Sequence, residues 1–237
     1  MSRWICWTLP LIAVMLASGA WSADPPVGYV VAIDGKLERK PSSGNWAVAR
    51  LQQPDYVGDH LRTDKQSMAA VEFTRGGKVG VNTATEILIV GPREAKDVTE
   101  RSTVEQITVQ AGSIWAKFAK QSEQFKIQTE SCTIGIRGTE FVVEQSADGE
   151  TEVSVLEGEV EVVDSTNEVT RLKPGQYIRA RRGQRARLSR ETEQQMRQRL
   201  ERRHARFTRF WAKRATWRTI QNNPPQRQPV NRPRPRP

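Results

Sequence analysis

Histidine, cysteine and tyrosine are scarce in this chain, with two, two and three residues in 237. Two cysteines exclude a disulfide-built scaffold. Two histidines and two cysteines give no zinc-ligand set of suitable spacing, and no glycine-rich phosphate loop opens a helix, so neither a metal nor a nucleotide cofactor is indicated. Repeated apolar runs of about 20 residues are missing, which excludes a polytopic membrane protein. No amphipathic helical pattern of useful length lies between residues 27 and 182. Disorder of the whole chain is excluded as well, because 37% of residues are hydrophobic and they recur with clear periodicity.

The first segment carries a targeting pattern. Arg3 precedes an apolar run from Leu9 to Ala17, and small residues follow to Ala20 and Ser22. This order predicts a signal peptide over residues 1–22 and export to the periplasm or cell envelope. The alternative is an uncleaved anchor helix, which the short run and Pro10 disfavour. Cleavage removes Cys6 and leaves Cys132 without a partner inside the chain, so Cys132 is expected to be a small buried apolar residue, the alternative being an intermolecular crosslink.

Charge divides the remainder. Residues 1–172 carry 17 basic and 24 acidic side chains, whereas residues 173–237 carry 20 basic and 3 acidic. The net +10 therefore belongs to the C-terminal segment, the pattern of a folded module with an interaction tail. Period-two alternation recurs through the body, at Ile87/Ile89, Ile107/Val109, Phe125/Ile127, Ile134/Ile136, Val153/Val155 and Val160/Val162. It predicts an all-β domain over residues 27–182. Asp34-Gly35 reads as a short hairpin turn. Val109-Gln110-Ala111-Gly112-Ser113-Ile114 echoes Val155-Leu156-Glu157-Gly158-Glu159-Val160, as a solenoid-like or rolled β repeat would.

Six landmarks occur in order: Gly58-Asp59-His60-Leu61-Arg62-Thr63, Gly76-Gly77, Gly112-Ser113-Ile114-Trp115, Ile136-Arg137-Gly138-Thr139-Glu140-Phe141, Thr151 to Val160, and Leu172-Lys173-Pro174-Gly175-Gln176. Together they resemble the periplasmic FecR domain family, the iron-dicitrate-sensor type, over roughly residues 27–180. The resemblance implies a β-solenoid-like fold and signal transmission through protein–protein contact, without catalysis. The typical family protein also has a cytoplasmic anti-sigma segment and a membrane span; here only the expected signal peptide precedes the domain, so the expectation is a stand-alone exported member without that segment. Gly58, Asp59, Arg137, Gly138, Thr139 and Phe141 are the motif residues, read mainly as structural. Gly138 suits a bulge, Thr139 a hydrogen bond to a neighbouring turn, and Arg137 a carboxylate or a partner.

Catalytic patterns are poor. His60 beside Asp59 is no triad, and nothing local brings Cys132 to it. Glu157, Glu159 and Glu161 alternate on one strand face, as a solvated face opposite Val160 and Val162 does; the alternative is paired carboxylates serving a hydrolase or holding calcium.

The tail is more informative. Ser189 is placed to cap a basic amphipathic helix over residues 189–220, with a Pro/Arg-rich disordered tail over residues 221–237. Met196, Leu200, His204, Phe207, Trp211 and Ala215 fall on one stripe, and arginines crowd the other faces. Arg202, Arg203, Arg206, Phe207, Arg209, Trp211, Lys213 and Arg214 are the candidate contacts with an anionic lipid, lipopolysaccharide, envelope polymer or acidic protein partner. Export disfavours nucleic acid. A further alternative is that the stripe docks back onto the acidic body. The expectation is a non-enzymatic adaptor or signal-transmitting module tethered by its tail. The alternative is a regulatory partner of sigma-factor signalling that acts through a separate membrane protein.

Overall fold

The computed structural model describes residues 25–91, 105–119 and 125–217. The expected signal peptide and Pro/Arg tail lie outside the described residues. Fifteen strands form one continuous sheet. They are β1 (Gly28–Asp34), β2 (Leu37–Lys40), β3 (Ala47–Val48), β4 (Pro54–Asp55), β5 (His60–Thr63), β6 (Met68–Phe73), β7 (Lys78–Val81) and β8 (Glu86–Val90). There follow β9 (Glu105–Lys117), β10 (Phe125–Gln128), β11 (Cys132–Gln145), β12 (Thr151–Asp164), β13 (Val169–Leu172), β14 (Gln176–Ala180) and β15 (Arg187–Arg190).

Three of these strands are 13 or 14 residues long and belong to two layers at once. The first half of β9 lies between β8 and β10, and its second half lies between β7 and β11. β12 pairs with β13 beyond Gly158 and with β14 before it. One layer thus runs β3-β2-β5-β8-β9-β10-β11-β12-β13, and the other runs β4-β1-β6-β7-β9-β11-β12-β14-β15. Alternation sends one face of each layer inward, and a single apolar cluster fills the space between them. Phe73 of one layer meets Phe125 of the other at 4.8 Å between ring centroids.

The long strands turn from layer to layer at glycines. Gly112, Gly138 and Gly158 have φ of 85°, 62° and 76°. At the last, a Cβ would strike the Gly138 carbonyl oxygen and the Thr139 side chain. The echo between the Gly112 and Gly158 segments therefore marks two corners of the same kind, one against Ala84 and Thr85 and one against Gly138. It is not a repeated coil, and the solenoid expectation is corrected. Nearly every pairing is antiparallel, and the one parallel pair, β9 with β10, closes the sheet into a roll through β11. The Asp34-Gly35 turn is corrected too. β1 pairs with β4 and β6, while β2 pairs with β3 and β5, so this turn moves the chain between layers without making a hairpin.

The C-terminal segment departs from the single helix expected over 189–220. Ser189 lies in β15, where it pairs with Tyr177. Helix α1 (Glu193–Arg203) starts at a capping box instead. The Gln195 N–H donates to Thr192 Oγ1 at 3.2 Å, and the Thr192 N–H donates to Gln195 Oε1 at 2.9 Å. The chain breaks at His204, and α2 (Ala205–Ala212) and a 3-10 turn (Lys213–Thr216) follow.

Replacing Gly158 by Ala should lower the stability of the roll by about 3 kcal/mol, from left-handed strain plus overpacking. Gly183→Ala is the control, since its φ is 74° but nothing lies within 4 Å of an added Cβ; it should cost only about 1 kcal/mol. Urea midpoints of the two variants check the difference.

Candidate functional site

The outer face of the second layer is where the acidic body and the basic segment meet. Strand register lays Ala70, Gly80, Trp115, Val142, Ser154 and Tyr177 in one row across six strands. Charged rows flank it. On one side Lys117 stands opposite Glu140. On the other, Ser113, Glu144, Glu152 and Arg179 lie side by side. Glu144 and Glu152 directly face each other, which is unfavourable unless a cation lies between them.

The helices supply those cations and cover the row. Met196, Leu200, Phe207, Phe210 and Trp211 are buried in a second cluster with Val31, Met68, Ala70, Trp115, Val142 and Leu156. Gly80 makes the recess: a Cβ there would sit 2.8 Å from Trp211 and 2.9 Å from Phe207. The indole of Trp211 stacks on that of Trp115, with centroids 6.1 Å apart. Both indole N–H groups donate to Glu140 Oε1 at 3.0 Å. The other oxygen, Oε2, accepts from Lys117 at 2.8 Å and from Arg214 at 3.2 Å. Arg203 Nη1 reaches both members of the facing pair, Glu144 at 2.6 Å and Glu152 at 3.3 Å. Arg199 also pairs with Glu152 and donates to Ser154 Oγ at 3.2 Å.

His204 fixes the break between the helices. Asn82 donates from Nδ2 to Ser113 and accepts on Oδ1 from Thr83 N–H, which sets its orientation. His204 then receives on Nδ1 from Asn82 at 3.1 Å and donates from Nε2 to Glu144 at 2.8 Å. This bridge holds residue 204 at φ −128°, ψ 40°, off the helical path. As a result Phe210 joins the buried face and Ala215 is left exposed.

The candidate contact residues are therefore split. Phe207 and Trp211 are 2% and 1% exposed, so they are corrected from surface anchors to cover residues. Arg203 and Arg214 are held by body carboxylates, and Arg206 pairs with Asp34 at 3.1 Å. Arg202, Arg209 and Lys213 point to solvent. Trp115, Glu140 and Glu152 entered the sequence reading only as parts of landmarks, without a role at this face, and Glu144, Gly80 and Asn82 did not enter it. The available signal was the acidic body against the basic stripe of the tail, with Glu140, Glu144 and Glu152 among its carboxylates.

Motif residues do structural work. Asp59 accepts from Tyr56 N–H and Arg39 Nε, both at 2.7 Å, and tucks β4, β5 and β2 together. Gly58 has room only for a hydrogen against Ser42. Phe141 is fully buried beside Phe118. Thr139 is corrected: its hydroxyl has no hydrogen-bond partner, and its methyl packs where Gly158 leaves space. The Arg137 backbone pairs with Glu159, and its side chain lies outside the described residues.

The two groups considered for catalysis are engaged elsewhere. His60 Nδ1 lies 3.3 Å from Glu86, with Trp46 edge-on to its ring. Cys132 lies in the core, where burial pushes its thiol up to about 11 despite a hydrogen bond with Thr129. Glu157 and Glu161 pair with Lys117 and Arg171. Asp55 is fully buried without a hydrogen bond, 4.0 Å from Arg39, and burial raises it to about 8.

Burial alone would raise the carboxyls of Glu140, Glu144 and Glu152. Hydrogen bonds and cationic partners outweigh it: Lys117, Trp211 and Arg214 for the first, His204 and Arg203 for the second, Arg179 and Arg199 for the third. All three sit below the usual carboxylate range. Groups depressed in the folded state stabilise it above their ordinary value of 4.5 and lose that contribution as pH falls through the depressed one. Cover docking should therefore hold constant above about pH 5 and weaken progressively below about 4.5. The near-ultraviolet circular dichroism of the stacked Trp115–Trp211 pair reads it. Gly80→Val should abolish the same signal at neutral pH while leaving the far-ultraviolet strand signal in place.

Residues 59–161 match a family model described as FecR protein. The helices lie outside that stretch. Two solved structures of a candidate anti-sigma factor from Parabacteroides distasonis ATCC 8503, at 1.65 and 2.50 Å resolution, are similar at 22% and 21% identity. Each has a TM-score of 0.46 and covers 57% of this chain, which spans 61% of theirs. None of the curated proteins matches the chain.

Proposed function

We propose that the protein is a non-enzymatic regulatory module, exported to the periplasm or cell envelope, that transmits a signal through contact with another protein, because residues 59–161 match the FecR family model. The FecR match is the observation that carries this reading. The chemistry of the site agrees with it. The charged groups brought together on the second layer are spent on holding one element against another, as in a recognition surface, and the buried Cys132 and the Glu86-bound His60 are engaged elsewhere. The sigma-factor partnership is the finer form of the same reading, with a separate membrane protein carrying the signal inward.

A tether to an anionic envelope surface rests on less of the segment than the sequence suggested. Arg202, Arg209 and Lys213 face outward, and five further arginines follow residue 217. Such a contact is electrostatic, without inserted aromatic rings, and therefore steeply salt-dependent.

Deleting the gene and profiling transcripts tests the main reading. The expected result is a defined set of transcripts that shifts on deletion and returns when the full chain is restored. A profile unchanged under envelope stress and iron limitation would overturn it. Sedimentation with envelope fractions, using Arg202, Arg209 and Lys213 changed together to Glu, tests the tether alone.

A further inference from the structure

The face beneath the helices is built to outlast their departure. Glu140 would lose Trp211 and Arg214 but keep the Trp115 indole N–H at 3.0 Å and the Lys117 ammonium at 2.8 Å. Glu152 would lose Arg199 and Arg203 but keep Arg179 Nε at 2.9 Å. Only Glu144 takes both of its partners, Arg203 and His204, from the helices. The rows of side chains sit on strands paired on both sides, so their positions do not depend on the cover.

The helices, by contrast, cannot stand alone. They have 11 and 8 residues, below the roughly 12–15 at which isolated helices become even marginal in water. α1 buries only Met196 and Leu200, and α2 has no side-chain cap at its start. Met196, Leu200, Phe207, Phe210 and Trp211 give the apolar grip, and the ion pairs beside it come from arginines that keep contact with water: the side chains of Arg203 and Arg214 are 39% and 27% exposed. Ionic pairing does give recognition, because it rejects any helix without cations at the right spacing.

We propose that the α1–α2 segment is a self-carried occupant of a helix-binding face, and that it opens as a unit to admit a helix of the signalling partner with the same chemistry. This rests on the protein-contact reading above. The face specifies its ligand. Arg199 and Arg203, one turn apart, serve the Glu144–Glu152 pair. Phe207 and Trp211, again one turn apart, fill the recess at Gly80. Arg214 closes on Glu140. The partner is an amphipathic helical segment bent as the cover is at His204, with two arginines one turn apart before the bend and two aromatic residues one turn apart after it. In the covered state this face is unavailable, so the segment is autoinhibitory. Opening exposes Trp115, Met68, Ala70 and Val142, an apolar strip between charged rows.

Hydrogen exchange on the full chain tests the opening. Amides of α1 and α2 should exchange at least about 100-fold faster than those of β11 and β12, with a weaker denaturant dependence, as in a sub-global opening. Equal protection of helices and strands would make the segment a fixed part of the core and overturn the proposal. A labelled peptide of residues 191–217, added to the full chain, tests the face. It should bind saturably. It should bind about tenfold more tightly to the Arg203→Ala chain, whose own cover is open more of the time. Absence of binding to both chains would overturn the proposal. A dimer formed by exchanged helices and dispersed by the peptide would assign the face to a second copy and overturn the partner assignment. A cover that never opens leaves the transcript experiment unaffected, so the two readings fail separately.

Discussion

Three long strands leave one layer and enter another at Gly112, Gly138 and Gly158, and everything else in the molecule is arranged around those corners. Gly138 and Gly158 share one corner, with the Gly138 carbonyl beneath Gly158, and Gly112 turns at another, against Ala84 and Thr85, so the two layers are tied through continuous chain at two places. Separate halves held only by side-chain packing could slide. Here the register of one layer fixes the register of the other. That rigidity places Glu140, Glu144 and Glu152 in fixed rows, and it allows a short, marginal helix pair to find them.

The strands were readable because alternation is local. Apolar pairs such as Ile107/Val109 and Val160/Val162 announce a buried face from within a few residues. The resemblance between the Gly112 and Gly158 segments was readable too. Its meaning was not, since a strand that continues past a corner and a strand that ends in a turn look alike in sequence. The layering depends on pairings such as Tyr29 with Glu72 or Lys78 with Lys117, which no local pattern encodes.

The helical stripe was likewise legible at Met196, Leu200, Phe207 and Trp211 from its spacing. What it faced was left open, because an amphipathic helix has the same pattern against lipid, a partner or its own sheet. The decision lay in residues far away in the chain. Glu140 binds Arg214 across 74 positions, and Glu144 binds His204 across 60. The break at His204 follows from Asn82, 122 residues earlier. The division of charge between body and tail was the visible half of this complementarity. Its other half, the choice of which arginines turn inward, needed the third dimension.

The order of the elements has a consequence for manufacture. The cover is the last of the described elements to be synthesised, and it seals a surface made from β1, β6, β7, β9, β11 and β12. A chain that stops after β15 and before α1 therefore displays Trp115, Met68 and Val142 as an apolar strip and leaves Glu144 without Arg203 and His204. Folding quality control recognises exposed apolar strips of this kind. The α1–α2 cover thus turns a surface open to such surveillance into a buried one.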